Sequence, residues 1–570
     1  MAESGSIAFE WGARVPMRDG VTLGAPVYRP AGDAPTPAVF TLTPYIADSY
    51  HDRGTYFARH GYAFVLVDCR GRGNSGGTFR PMRGEGPDGH DIVEWLAAQP
   101  WCDGSVAMWG GSYAGFDQWM TAREHPSHLR TIVPAASAAA AVDFPLWNNV
   151  GYSYEIQWQT FTSGVTPNEH LFSDQAFWIE KFREHRLAHR PFIELDTTVG
   201  NLASAFREDM SHPTPDAYWD EISLGQADHA AIGIPILTIT GHYDDDQPGA
   251  LHFYREHVRS ATADARERHH LIIGPWDHPG TRTPARDVGG LTFGEASLVD
   301  LNALHVAWYD WTMRDGPKPD FLRDRVAYYV AGADEWRYAS ALEAIPTDTQ
   351  AFYLASVGGQ ANDVFHSGAL VDDPADSAPD TYVDDPLDDR VVEIEREPIE
   401  RHLTDQRYVV SLFGAGVVYH TGAFETATEL TGQIRLDAWI AMDVPDADFH
   451  VSLSEIERDG SSILLTETVA RARYRVGLRE EHLVEPGAIL RYTFDGFHFF
   501  SRQIAVGSRL RLVIKAPNSI YWQQNYHGGG IVAEESGKDA RVAHVTVYHD
   551  TAHPSRLELP VARPTEASAG

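Results

Sequence analysis

Residues Met108–Trp119 read MWGGSYAGFDQW, and Ser112 sits among small residues on both sides. Gly110 and Gly111 precede it, Ala114 and Gly115 follow one step out, and the apolar run Val106–Trp109 leads in. That pattern fits a sharp strand-to-helix turn, which strains the serine backbone and lifts its hydroxyl clear of a sheet. The strict G-x-S-x-G spacing places glycine where this chain has Ala114, the next smallest residue. The start of the helix that follows would favour a developing oxyanion. A serine N-cap in a glycine-rich turn would look the same locally, so partner residues must decide.

Two apolar runs downstream stop on groups that could be those partners. ILTITGHYDDD ends in Asp244, Asp245 and Asp246, and LIIGPWDHPG carries Asp277 and His278. Serine, then acid, then histidine, each just past a strand, is the chain order of an α/β-hydrolase triad at the carboxyl edge of a sheet. Asp244 is preferred as the first residue beyond its run, with Asp245 and Asp246 as alternatives. His242 precedes the acid and is the weaker base. In this reading Ser112 Oγ attacks an acyl carbonyl, His278 takes and returns the proton, and Asp244 fixes the imidazole tautomer.

The elements that must hold these groups are legible as alternating patterns. Pro37–Tyr45, Tyr62–Gly71 and Ser105–Gly111 read as apolar strands, and Asp88–Gln99 as a helix with Ile92, Val93, Leu96 and Ala97 apolar. Such alternation predicts a parallel sheet covered on both faces. From about Phe144 to Leu224 aromatic-rich helical patterns such as Ser173–Asp196 replace it, which predicts a cap. Strands resume at Ile234–Asp244 and His269–His278, with a helix over Leu298–Gly316. Past residue 345 come short alternating runs, among them QIRLDAWIAM, DFHVSLSEIE, SRLRLVIKA and ARVAHVTVYHD, which predict a β-sandwich or jelly roll. Twelve acidic residues against two basic ones mark Asp372–Glu400 as a solvated loop. The expected fold class is α/β: an α/β-hydrolase domain at 1–143 and 231–345, a helical cap at 144–230, and a C-terminal β jelly-roll domain at 346–570.

Composition removes other classes. Eighty acidic residues against 46 Lys and Arg give a net charge of −34, which disfavours nucleic acid and anionic membrane surfaces as partners. The two cysteines, Cys69 and Cys102, form no C-x-x-C pair, and no H-E-x-x-H occurs, so neither a metal site nor a disulfide framework is expected. The first twenty residues lack a basic start before an apolar core, and no run of 18 apolar residues occurs. A cytoplasmic protein is the expectation.

Taken together, VPMRDGVTLGAPVYRP, TPY, DCRGRGNSGG, GGSYAG, GHYD and GPWDH resemble the cocaine esterase / X-Pro dipeptidyl peptidase (peptidase S15) group along essentially the whole chain. The resemblance implies the Ser112, Asp244 and His278 triad and the same three-part architecture. It also implies an oxyanion hole from the Tyr45 hydroxyl and the Tyr113 backbone N–H. No cofactor is implied, the substrate is a small ester or amide, and homo-oligomerisation is compatible with it. Arg70 and Asp68 of DCRGRGNSGG are read as structural ion-pair members.

Three substrate classes compete within that group. X-Pro dipeptidyl peptidases usually carry an added N-terminal helical domain, whereas here the Met-Arg-Asp-Gly segment begins by Met17. The α-amino acid ester hydrolases grip a substrate ammonium with a carboxylate cluster. Asp246 matches one member, but Gln247 stands where another acid is expected, and Leu146, Trp147, Asn148 and Asn149 offer no Asp pair. Layout is nearest to the cocaine esterase type, with Trp147 and Trp158 of the cap as candidate walls of an acyl pocket. Outside catalysis, an inactive hydrolase serving as a binding module and a sugar-binding β domain are the competing readings.

Overall fold

The computed structural model describes residues 6–356, 361–409 and 413–563; the outermost residues of the first and last expected units lie outside that range. Its N-terminal part is built on a ten-stranded sheet. The strands are β1 (Ile7–Pro16), β2 (Thr22–Pro30), β3 (Thr36–Thr43), β4 (Ala63–Asp68), β5 (Cys102–Gly111) and β6 (Leu129–Ala135). After a helix-rich segment come β7 (Ile236–Tyr243), β8 (His269–Asp277), β9 (Val326–Val330) and β10 (Glu335–Ala339). They lie in the order β1-β2-β4-β3-β5-β6-β7-β8-β9-β10.

The expected parallel sheet forms the centre, from β4 through β9. Every residue of β4 is buried, as its uninterrupted apolar run requires. The margins differ: β1, β2 and β10 pair antiparallel. Most of β1 is half-buried or exposed, which an antiparallel edge tolerates and a doubly covered parallel strand does not. One face packs residues such as Val65, Met108, Phe116 and Trp119, and that core runs on into the segment between β6 and β7 through Trp158, Trp178 and Phe192. The other face buries Phe57, Phe64, Trp109, Trp276, Trp308 and Tyr309.

Four helices position the site: α1 (Glu85–Ala97), α2 (Tyr113–Arg123), α3 (Tyr154–Phe161) and α4 (Gln247–Ser260). Helix α1 starts three residues before the expected Asp88, directly after Gly84, whose φ of 102° ends the preceding loop. The helix expected from Leu298 begins instead at Leu301, because Asp300 caps it by accepting from the Ala303 N–H at 3.0 Å. Between β6 and β7 the chain forms a series of helices joined by loops, preceded by a two-residue ladder joining Leu146–Trp147 to Val150–Gly151.

From Thr347 onward the chain is β-rich, with thirteen strands in one hydrogen-bonded assembly and a separate core around Leu436, Phe449, Leu512 and Val545. The acidic stretch Asp372–Glu400 is not wholly a loop. Asp380–Asp384 pairs antiparallel with Ala543–Tyr548, and Asp380 and Asp384 are buried. Asp380 is held by the Tyr419 hydroxyl and His549, and Asp384 lies 3.1 Å from His527. Those remote partners outweigh the local charge pattern. The β-rich part also touches the segment between β6 and β7 and the end of β9, through bridges Tyr152–Trp522 and Ala331–Arg502.

Candidate active site

Ser112 lies between β5 and α2 with φ 62° and ψ −125°, a conformation costly for any residue with a Cβ. Its neighbours are small because the turn leaves no room. A Cβ on Gly110 would fall 2.7 Å from Ala114 Cβ, and one on Gly115 would fall 2.6 Å from Ser137 Oγ. The Ser112 side chain makes no capping hydrogen bond to α2, so its hydroxyl is not consumed as an N-cap. Tyr113 opens the helix, and its N–H has no acceptor among the described residues, as expected for a first-turn donor.

Tyr45 lies just past β3, and its hydroxyl stands 3.4 Å from Ser112 Oγ. Trp158 of α3 donates its indole N–H to that hydroxyl at 3.1 Å. That contact holds the Tyr45 hydroxyl beside Ser112 Oγ, where either oxygen can donate to the other. Burial raises its pKa well above the ordinary tyrosine value, so it remains a donor. Trp158 is only 4% exposed and stacks on Tyr113 at 5.6 Å, so the expected pocket wall also braces both oxyanion candidates. Trp147 is half-buried and packs against His498 and Trp522 of the β-rich part at 5.0 and 5.8 Å.

Asp244 follows β7 and is fully buried. Its Oδ1 accepts from His278 Nδ1 at 2.8 Å, and its Oδ2 from the Thr240 hydroxyl at 2.7 Å. Burial pushes its pKa up, but the His278 hydrogen bond and charge, with Thr240, bring it below the ordinary aspartate value. Burial and Arg282 push His278 down, yet the Asp244 bond and the Asp246 and Asp244 charges leave it above the ordinary histidine value. The Nδ1 proton is committed to Asp244, which leaves Nε2 as the basic nitrogen. Four residues past His278, Arg282 lies against Gly111 of the nucleophile turn, so the two strand-end loops abut. No hydrogen bond joins Ser112 to His278 among the described residues; in such sites it tightens when substrate arrives. His242, the weaker base candidate, is buried and pushed down to about 3 by desolvation.

Carboxylates crowd this edge. Asp246 Oδ2 lies 3.7 Å from His278 Nδ1, and burial, with Asp143, Asp244 and Asp245 nearby, raises it well above the ordinary value. Asp245 is exposed, within electrostatic reach of His278, His498 and His402. The buried Asp143 was not singled out in the sequence, although it begins the stretch that holds Trp147. Burial pushes it up to about 8, and it accepts the N–H groups of Ala139 at 2.8 Å and Gly249 at 2.5 Å. Gln247 reaches none of this. It binds Gly241 O at 2.7 Å and the Phe499 O and N at 2.9 and 2.6 Å, stapling α4 to the β-rich part. Arg70 pairs with Asp88 at 2.5 Å and Asp19 at 2.9 Å, whereas Asp68 accepts from the Asn74 N–H at 3.1 Å. No group of three His, Cys, Asp or Glu side chains suited to a metal occurs among the described residues, and no helix is long and apolar enough to cross a membrane.

Comparison with known proteins resolves the family. The X-Pro dipeptidyl-peptidase (S15 family) description matches residues 19–280, and the description of that family's C-terminal non-catalytic domain matches residues 321–558. The chain belongs to the S15 family. It is a hydrolase, as the family's esterases and peptidases are. Within the family it is 27% identical to a cocaine esterase of Rhodococcus sp. (strain MB1 Bresler), over 96% of this chain and 98% of that one. Two solved structures share the fold at 21% identity. An aminopeptidase from a Thaumarchaeota archaeon has a TM-score of 0.83, over 98% of this chain and 97% of its own. An α-amino acid ester hydrolase has a TM-score of 0.82 with the same coverage.

Proposed function

We propose that this S15 hydrolase cleaves carboxylic esters, with amides as a second substrate type, through an acyl-enzyme on Ser112. His278 Nε2 takes the Ser112 proton as Oγ attacks the acyl carbon. The Tyr45 hydroxyl and Tyr113 N–H hold the oxyanion, and Asp244 stabilises the imidazolium. Collapse expels the alcohol, which receives the proton from His278. Water, deprotonated by the same imidazole, then releases the acid and restores Ser112. The observation that carries this reading is the Tyr45 hydroxyl, aimed by Trp158 at 3.4 Å from a serine in a strained elbow. The proposal also takes the helical segment over 144–230 as a cap and 346–570 as a jelly roll supporting the site.

A second reading is favoured by one feature, the carboxylates of Asp143, Asp245 and Asp246 around His278. Such a cluster of acids, held up toward the neutral form by burial and by one another, would ionise beside a cation and so suits substrates with a free α-amino group, the class to which α-amino acid esters, β-lactam amides and X-Pro peptides belong. A panel of p-nitrophenyl and benzoyl esters, α-amino acid esters, cephalexin-like amides and X-Pro anilides decides between them. Ser112→Ala is expected to lose nearly all turnover while remaining folded; wild-type rates in that variant would refute the triad. Plain esters cleaved as well by Asp246→Asn as by wild type support the first reading. A wild-type preference for amino substrates that Asp246→Asn abolishes supports the second.

A further inference from the structure

Behind the nucleophile turn lies a buried acidic group that the chemistry above does not use. Tyr113 is 3% exposed; its ring stacks on Trp158 at 5.6 Å, and its hydroxyl reaches the start of α1. There its hydroxyl donates to Glu85 Oε1, a short contact, and accepts the Met82 N–H at 2.5 Å. Glu85 is the first residue of α1 and is 5% exposed. Asp117, one turn along α2 from Tyr113, is fully buried, and neither of its carboxyl oxygens has a partner. The second oxygen of Glu85 has none either. The remaining charged and titratable neighbours are Asp88 and Arg70, paired with each other, and the buried Cys69.

Two buried carboxyl groups without a contacting cation are expensive, and a fold keeps such groups where they hold something in place. What Glu85 holds is the side chain of the residue whose backbone N–H faces the reaction. Met82, at φ 61°, is itself in a strained conformation, so the anchor is built from a loop that other contacts over-determine. Ser112 and Tyr113 are consecutive, so a shift of the Tyr113 ring rotates the peptide plane that carries both the nucleophile and the donor.

The geometry points to Glu85 as a positioning residue of the oxyanion hole: its grip on the Tyr113 hydroxyl fixes the Tyr113 N–H and the Ser112 turn. This rests on the catalytic reading proposed above. Burial and the Glu85 charge raise Asp117 well above the ordinary aspartate value, and burial raises Glu85 to about 7; in either protonation state Glu85 keeps an acceptor oxygen for the Tyr113 hydroxyl.

The test compares Glu85→Ala, Glu85→Gln, Tyr113→Phe and the double variant Glu85→Ala/Tyr113→Phe on the best ester of the panel. Circular dichroism and melting first establish that each is folded. Glu85→Ala and Tyr113→Phe are each expected to lower kcat by about tenfold or more with KM changed less than twofold, since a donor is misplaced rather than removed. The double variant should lose no more than either single one. Glu85→Gln, which keeps an acceptor oxygen, should recover most of the Glu85→Ala loss, and affinity for a trifluoromethyl ketone should fall in step with kcat. A folded Tyr113→Phe with wild-type kcat would overturn the inference. So would losses that multiply in the double variant, or a loss expressed in KM alone. The milder Tyr113→Phe keeps the test decisive if Glu85→Ala does not fold. If Ser112→Ala is inactive while these variants are normal, the positioning role fails and the catalytic reading stands; if Ser112→Ala is active, the catalytic reading fails first.

Discussion

The Tyr45 hydroxyl and the Trp158 indole are 113 positions apart, yet one hydrogen bond of 3.1 Å fixes what each can do. A tyrosine hydroxyl both donates and accepts; with the indole N–H occupying part of its acceptor capacity, its proton is available to an oxyanion formed at Ser112. Tyr45→Phe is therefore expected to reduce kcat by about 10²–10³-fold, the usual cost of one oxyanion donor. Trp158→Phe keeps the donor but frees its rotation, so its kcat loss should be smaller, about tenfold. Steady-state kinetics on one ester check the ranking: a larger loss from Trp158→Phe would make that residue a substrate wall before a brace.

At the scale of elements, α4 is joined to the sheet by neutral histidines. His257 on α4 donates Nε2–H to Ile232 O at 3.0 Å, which makes its Nδ1 an acceptor for His269 Nδ1–H of β8 at 2.9 Å. His269 Nε2 then meets the Thr238 hydroxyl of β7 at 2.9 Å. His229 packs beside them against Trp119, fully buried with neither ring nitrogen partnered, and desolvation pushes it down to about 3. A histidine depressed in the folded state binds its proton sooner in the unfolded chain, so its contribution is intact above about pH 6.5 and is lost as pH falls toward 3. The buried acids raised by desolvation, Glu85 to about 7 and Asp143 to about 8, titrate in the opposite sense and flatten the whole curve. The difference between proteins isolates the histidine. Relative to His229→Leu, wild type should lose about 1.4 kcal/mol per pH unit between pH 6 and 4. Urea melts at three pH values measure it, and a pH-independent difference would show that His229 is protonated or solvated in the fold.

Across the whole molecule, catalytic loops and the β-rich part are held in register by polar contacts at their junction. Gln247, directly after the Asp244–Asp246 loop, makes two hydrogen bonds with Phe499 and one with Gly241 O. Arg471 pairs with Asp448 at 2.8 Å and donates to Asn149 O at 3.1 Å, tying the β-rich part to the Leu146–Gly151 hairpin. Gln247→Ala would leave the Phe499 N–H and C=O buried and unpaired. It is expected to cost about 2–4 kcal/mol of stability and to lower kcat by loosening Asp244. Thermal unfolding with kinetics tests this; an unchanged melting temperature would mean that the two parts dock without it.

The chemistry-bearing residues were legible because each is marked by its immediate neighbours. Ser112 needs Gly110 and Gly115 beside it, and Asp244 and His278 each end an apolar run that can only be a buried strand. The ten-stranded sheet was legible at its centre for the same reason, and not at β1, β2 and β10, where edge strands carry no uniform pattern. The acidic stretch misled because twelve carboxylates predict solvation, while Asp380 and Asp384 find partners in distant strands. Gln247 likewise stood in the sequence as a missing acid and proved to be a staple. The sequence by itself singled out Ser112, Asp244 and His278, in that order, as the proposed nucleophile, acid and base, since strand runs and a strained turn are local demands on residue type. Only the tertiary structure decided what aims them: Trp158 on Tyr45, Glu85 on Tyr113, and Asp143 beside Asp246. These contacts join segments 28 to 113 positions apart through single directional hydrogen bonds or a shared electrostatic field, which impose no periodicity on either segment.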